Sequence, residues 1–196
     1  GRPTRFEPSK GNENALKECM QDFVQEAALP NDLSVTQTLL GGVTERTLIG
    51  LTEQPNDLMV MGATGKSNFT RRLFGSVSEQ VARRAHCPVL LVPKGVRFTP
   101  VNRLLLGSDF DTVQDRQLEM ILKFSDRFQA DLHFVYVEMG YVNRYPEVEK
   151  RLLQFLLRPV SRSVHFQLAR VQASTIYEGL HLYMKQYPCD WVVMAA

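Results

Sequence analysis

Three glycines and a serine have the most specific spacing in this sequence. The stretch "MGATGKSNFTRRLFGSVSEQ", residues 61–80, sets Gly62, Gly65 and Gly75 at intervals of two and nine intervening residues, with Ser76 directly after the last. Glycines so placed let a backbone turn tightly and come close to an anion, while the free N–H groups of a following helix direct the positive end of its dipole at it. The chemistry this supports is phosphate binding. Lys66, Arg71, Arg72, Arg83 and Arg84 against the single acid Glu79 give residues 62–86 a local charge of +4, five bases less one acid. Plainer roles stand beside this one. Ser76 and Glu79 have the spacing of a capping box, and a serine hydroxyl can cap a helix and still donate to a phosphate. Gly62 and Gly65 also suit an ordinary turn, and the arginines a solvated helix face.

Other reactive side chains form no comparable pattern. His86, His133, His165 and His181 lack the spacing of metal ligands, so structural or surface roles are expected. Asp57 and Asp190 each precede an apolar run and are expected to end turns there. Cys19, Cys87 and Cys189 are far apart, lack a CxxC spacing and cannot all pair within the chain, which implies reduced thiols and no metal site.

The elements that would position the loop follow from hydrophobic periodicity. "NALKECMQDFVQEAAL" brings Leu16, Met20, Phe23 and Ala27 to helical spacing, predicting an amphipathic helix over 14–29. "LSVTQTLLGGV" reads as a strand ending at Gly41 and Gly42, and Thr44 can cap a second helix through about residue 53. "DLMVMG" and "PVLLVP", on either side of the glycine loop and a helix beginning at Ser76, are nearly continuous apolar runs of the kind that form buried strands of a parallel sheet. The loop then lies at the carboxyl end of that sheet, where open α/β folds bind ligands. "KGVRFTPVN" interrupts the pattern as a linker. Beyond it come a strand in "RLLLGSDF", a helix over 112–129, a strand in "DLHFVYV", a helix over 147–158, a strand over 163–171, a helix over 175–187 and a strand in "DWVVMAA".

"DLMVMGA" and "DWVVMAA" repeat each other at a separation of 133 residues (190 less 57), which implies two similar α/β units of domain size. The chain has 196 residues, 44% of them hydrophobic, enough for one large or two small domains. A net charge of +2, from 23 basic and 21 acidic residues, argues against a general nucleic-acid or membrane-surface binder. No apolar run approaches the roughly 20 residues of a membrane span, and the first residues lack a signal-peptide core, so a cytoplasmic protein is expected.

Gly62-x2-Gly65-x9-Gly75-Ser76, preceded by "DLMVMG" and followed by "VARRAHCPVLLVP", resembles the ATP-binding signature and the final helix and strand of the universal stress protein family. The resemblance extends over the whole chain: residues 1–94 are similar to the latter part of one such domain, 95–100 form the linker, and 101–196 are similar to the first four-fifths of a second. It implies a Rossmann-like fold, a parallel five-stranded sheet in the order 3-2-1-4-5 with helices on both faces, in two tandem units. Gly62, Gly65, Gly75 and Ser76 would hold phosphates and ribose, Val43 would lie near the adenine, and Asp109, ending the strand "RLLLGSDFD", would contact the adenosine part. The ligands implied are ATP and Mg²⁺.

Two departures qualify the match. The first unit has the loop but no strand to supply its adenosine-contacting acid. The second has Asp109 but reads Ala195 where the first reads Gly62. The expected protein therefore has further residues before Gly1, after Ala196 or both. Its expected function is nucleotide-dependent stress response without catalysis beyond slow ATP hydrolysis, since no general base or metal-binding carboxylates accompany the loop. The alternatives are an interaction module that binds no nucleotide, assembling its units with each other or as a homodimer through "PVLLVP", and an ATP-consuming transferase.

Overall fold

The structure is a computed structural model that describes residues 10–30, 32–53, 58–63, 76–108, 113–140, 144–157 and 164–194, with the side chains of 10–12 and of Ser76 left out. The chain divides into two compact units, Gly1–Val96 and Arg97–Ala196.

In the first unit, α1 (Lys10–Glu26) is followed by α2 (Thr44–Leu51), β1 (Met59–Gly62), α3 (Ser76–Arg84) and β2 (Val89–Val92). Helix α1 stops at Glu26, ahead of Ala28 at φ +44° and Pro30, so the helix predicted to reach residue 29 ends short. Strands β1 and β2 are parallel, pairing Met59 with Val89 and Gly62 with Val92. The strand expected to end at Gly41 and Gly42 is absent: residues 33–42 form no ladder, and Leu33, Val35, Leu39 and Leu40 are exposed. Their apolar content resembles that of a strand, but extended backbone becomes a strand only where a neighbour accepts its hydrogen bonds, and among the described residues this unit's sheet has two strands.

The second unit reproduces every predicted element. It runs β3 (Arg103–Gly107), α4 (Asp115–Phe128), β4 (Asp131–Glu138), α5 (Tyr145–Leu156), β5 (Phe166–Gln172), α6 (Ile176–Gln186) and β6 (Trp191–Met194). All four strands are parallel, in the order β5-β4-β3-β6. In chain order within the unit this is 3-2-1-4, so the expected five-stranded order is present only in its first four positions.

Strand β3 is apolar without interruption because both its faces are covered. Leu104 and Leu106 join α4 and α5 through Leu118, Leu122, Leu152 and Phe155, while Leu105 joins Val135, Leu180 and Tyr183 beneath α6. At about 1.5 to 3 kcal/mol for each fully buried large side chain, the leucines of β3 together with Leu132 and Phe134, all at most 1% exposed, make this core the main source of stability among the described residues. Caps fix the helix starts. Gln117 Oε1 accepts from the Gln114 N–H at 2.8 Å, and Thr175 Oγ1 from the Glu178 N–H at 3.1 Å. Asp190 ends its turn as expected: its carboxylate accepts from the N–H groups of Asn102 at 2.8 Å and Arg103 at 2.9 Å, tying the start of β3 to the start of β6.

Candidate functional site

The order β5-β4-β3-β6 contains a reversal. From β3 the chain steps to β4 and β5 with α4 and α5 on one face, then returns through α6 on the other face to place β6 on the opposite side of β3. Ligands of open parallel sheets bind outside the carboxyl ends of the strands at this switch point, here between Gly107 of β3 and Met194 of β6, which pair directly. Gly107 pairs on its other side with Val135, and β4 continues three residues further to Glu138, so β4 stands beside the place where β3 ends. Met194 is 60% exposed. Helix α6 seals the underside: a Cβ on Gly107 would meet Leu180 Cδ2 at 2.8 Å, and one on Gly179 would meet Val137 Cγ1 at 2.5 Å. Only glycine allows the helix this close to the sheet.

A polar group at the end of β4 was not legible as a site in the sequence. Glu138 is 2% exposed and accepts from Arg170 Nε at 3.0 Å and from its Nη2. The same guanidinium lies over the Tyr145 ring, 6.0 Å from its centroid. Burial, then the neighbouring Glu149, raises the Tyr145 phenol above its ordinary pKa. The one available signal was an acid closing the apolar run "LHFVYVE", because a charge in a buried strand requires a partner.

In the first unit, Gly62 ends β1 and the next residue continues the ladder, Ala63 N–H donating to Val92 O at 2.9 Å. The helix starting at Ser76 is present as expected. Glu79 meets Arg83 on that helix at 3.3 Å in an exposed pair, so Arg83 belongs to a solvated face. Gly65, Gly75, Asp109, Lys66, Arg71, Arg72, Asp57 and Ala195 lie outside the described residues, as does the Ser76 side chain. Val43 immediately precedes α2, 41% exposed, and its carbonyl accepts both the N–H and the Oγ1 of Thr47 at 3.0 and 3.1 Å. That carbonyl serves the helix start, which leaves the exposed side chain for any outside contact.

The histidines take structural and surface positions. His133 is buried against Tyr183, His86 donates its backbone N–H to Thr52 Oγ1 at 3.0 Å, and exposed His181 stacks on Tyr177 at 5.9 Å. Cys19, Cys87 and Cys189 are free thiols. Among the described residues there is no group of three or more His, Cys, Asp or Glu that could hold a metal ion, and no helix is long and apolar enough to cross a membrane.

Residues 4–93 match the model of the universal stress protein family. The chain is 36% identical over 95 residues to a universal stress protein of Methanocaldococcus jannaschii, covering 44% of this chain and 56% of that protein. It is 26% identical over 163 residues to one of Mycobacterium tuberculosis, covering 67% of this chain and 55% of that protein. The chain thus spans a little over half the length of these relatives. The crystal structure of a universal stress protein from Archaeoglobus fulgidus matches all of this chain and 71% of its own, with a TM-score of 0.70 at 17% identity, a likeness of fold.

Proposed function

Because the chain belongs to the universal stress protein family, we propose that it is a cytoplasmic stress-response protein that binds ATP with Mg²⁺ through Gly62, Gly65, Gly75 and Ser76. The observation that carries this reading is that Gly62 closes a strand paired in parallel with β2, and that α3 opens at the serine ending the glycine pattern. A parallel strand followed by a glycine-rich connection and a helix N-terminus directs backbone N–H groups and the positive end of the helix dipole at an anion. The residues fit a triphosphate: Gly62 is exposed at the strand end, and the loop with its helix holds four more bases than acids.

The role of the protein is to hold the nucleotide rather than turn it over rapidly. In the second unit β3 ends at Gly107, from which the chain leads to Asp109, the acid proposed to face the adenosine. Each unit is proposed to be one of two tandem domains whose complete sheet has the order 3-2-1-4-5, and the order β5-β4-β3-β6 supports its first four positions. Native mass spectrometry of gently purified protein should find an adenine nucleotide retained. Protein free of nucleotide that takes up none when ATP and Mg²⁺ are added would overturn the proposal.

A second reading rests on β2, which pairs with β1 along one edge and is the end strand of its sheet. An end strand of apolar residues invites pairing with another strand, so the units are expected to associate through it, within the chain or as a homodimer. Light scattering should then give a compact particle or a dimer. A monomer with two independently tumbling units would count against this association.

A further inference from the structure

Helix α6 touches two places at once. One turn apart, Leu180 lies over Gly107 at the carboxyl end of β3, and Tyr183 Oη meets His133 Nδ1 on β4 at 2.7 Å. His133 is 4% exposed and lies edge-on to the rings of Tyr183 and Tyr187, at 5.8 and 6.0 Å. The groups around it come from several elements: Arg103 from β3, Asp131 from its own strand, Tyr183 from α6 and Tyr187 from the residue that caps it, with the uncharged Gln167 its partner in register on β5; Cys189, in the turn into β6, lies in turn against Tyr183 and Tyr187. Asp131 also lies 3.8 Å from the exposed His165. Arg103 spends one guanidinium nitrogen on the Pro188 carbonyl at 2.7 Å, while its Nε is buried without a hydrogen-bond partner.

A neutral imidazole suits this enclosure. In either tautomer Nδ1 and the Tyr183 hydroxyl satisfy each other, one donating and one accepting. A second proton would add a cation beside Arg103 in a space with little water, where an uncompensated charge is costly. We propose that His133 is an acid-sensitive seat for α6: proton uptake at its imidazole requires the helix to lift from β4, and Leu180, moving with it, uncovers the switch point at Gly107. Burial, reinforced by Arg103 and opposed by Asp131, lowers the His133 pKa below its ordinary value. The lifted state binds more protons below about pH 6.5, so α6 is fully seated above that value and loses protection as pH falls through the depressed pKa. The consequence for ligand affinity rests on the nucleotide reading, whereas the seating of α6 does not.

Hydrogen exchange on the full chain, at about pH 7.5 and pH 5.0 with intrinsic rates corrected, tests this directly. One proton taken up on opening can cost at most tenfold in protection per pH unit, so peptides covering 176–186 should lose up to about 30-fold while those of α4 and α5 change far less. His133→Gln retains an amide able to bond Tyr183 but cannot take up a proton, and should flatten the response. Should that variant fail to fold, Tyr183→Phe keeps His133 without the bond and should show lower α6 protection that is still acid-sensitive. The proposal is overturned if α6 tracks α4 and α5 in the wild type, if His133→Gln responds to acid as the wild type does, or if Tyr183→Phe loses its acid sensitivity. If α6 responds as stated and ATP binds at neither pH, the nucleotide reading fails and the seat stands.

Discussion

Leu180 rests on the backbone of Gly107 so closely that a side chain there would have to displace it: a Cβ would lie 2.8 Å from Leu180 Cδ2 and 2.9 Å from Cδ1. Gly179, the preceding residue of the helix, has the same relation to Val137 at 2.5 Å. The two glycines set the depth of α6 against the sheet, and with it the shape of the switch point.

Substitution at Gly179 therefore separates two opposing effects. Within a helix, Gly→Ala ordinarily gains about 1 kcal/mol, but the added methyl would overlap Val137, and overpacking costs about 1 to 3 kcal/mol. Gly179→Ala is expected to destabilise by about 1 kcal/mol in urea denaturation. Combining it with Val137→Ala should destabilise by less than the sum of the two single changes, because the second makes room for the first. Stabilisation by Gly179→Ala alone would show that α6 sits further from the sheet.

The Glu138–Arg170 pair should behave unlike the pair on α3. Arg170→Met leaves a carboxylate with 3% side-chain exposure without its cation, and a loss of about 3 kcal/mol is expected, the low end for breaking a buried pair because the arginine side is 42% exposed. Glu79→Ala removes one partner of an exposed pair and should cost less than about 1 kcal/mol. Equal losses in thermal or chemical denaturation would contradict the burial of Glu138.

Tyr183 provides a test at alkaline pH. Burial pushes its phenol up to about 12, with Cys189 and Tyr187 adding to the shift and Arg103 opposing it. The folded state then holds its proton where the unfolded state, near 10, has lost it. Stability from this group is fully present below about pH 10 and is lost between 10 and 12, on the order of 3 kcal/mol at most. Tyr183→Phe should remove that part of the alkaline loss. An unchanged slope in the variant would mean the phenol is not held in its protonated form by the fold.

The sequence was most legible where pattern and packing agreed. Every element of the second unit followed from its period, since "RLLLG" and "LHFVYV" are apolar throughout only because both sheet faces are covered. In the first unit the same reasoning found β1, α3 and β2 but assigned a strand ending at Gly41 and Gly42, where no neighbouring strand among the described residues accepts the hydrogen bonds of Leu33 to Leu40. Of the proposed phosphate site, the strand ending at Gly62 and the helix starting at Ser76 were legible because glycine and serine have local roles. Glu138 with Arg170, and His133 with Tyr183, were not, because they join residues 32 and 50 positions apart that only the pairing of strands and the packing of α6 on the sheet bring together.

Titration calorimetry of the wild type and Gly75→Val tests most directly whether the glycine pattern holds ATP. With Mg²⁺ present, the wild type should bind ATP with micromolar affinity, about −8 kcal/mol. A valine at Gly75 should abolish most of that, since its side chain would occupy the space a phosphate needs. Equal ATP affinity in the two proteins, or none in the wild type, would contradict the assignment.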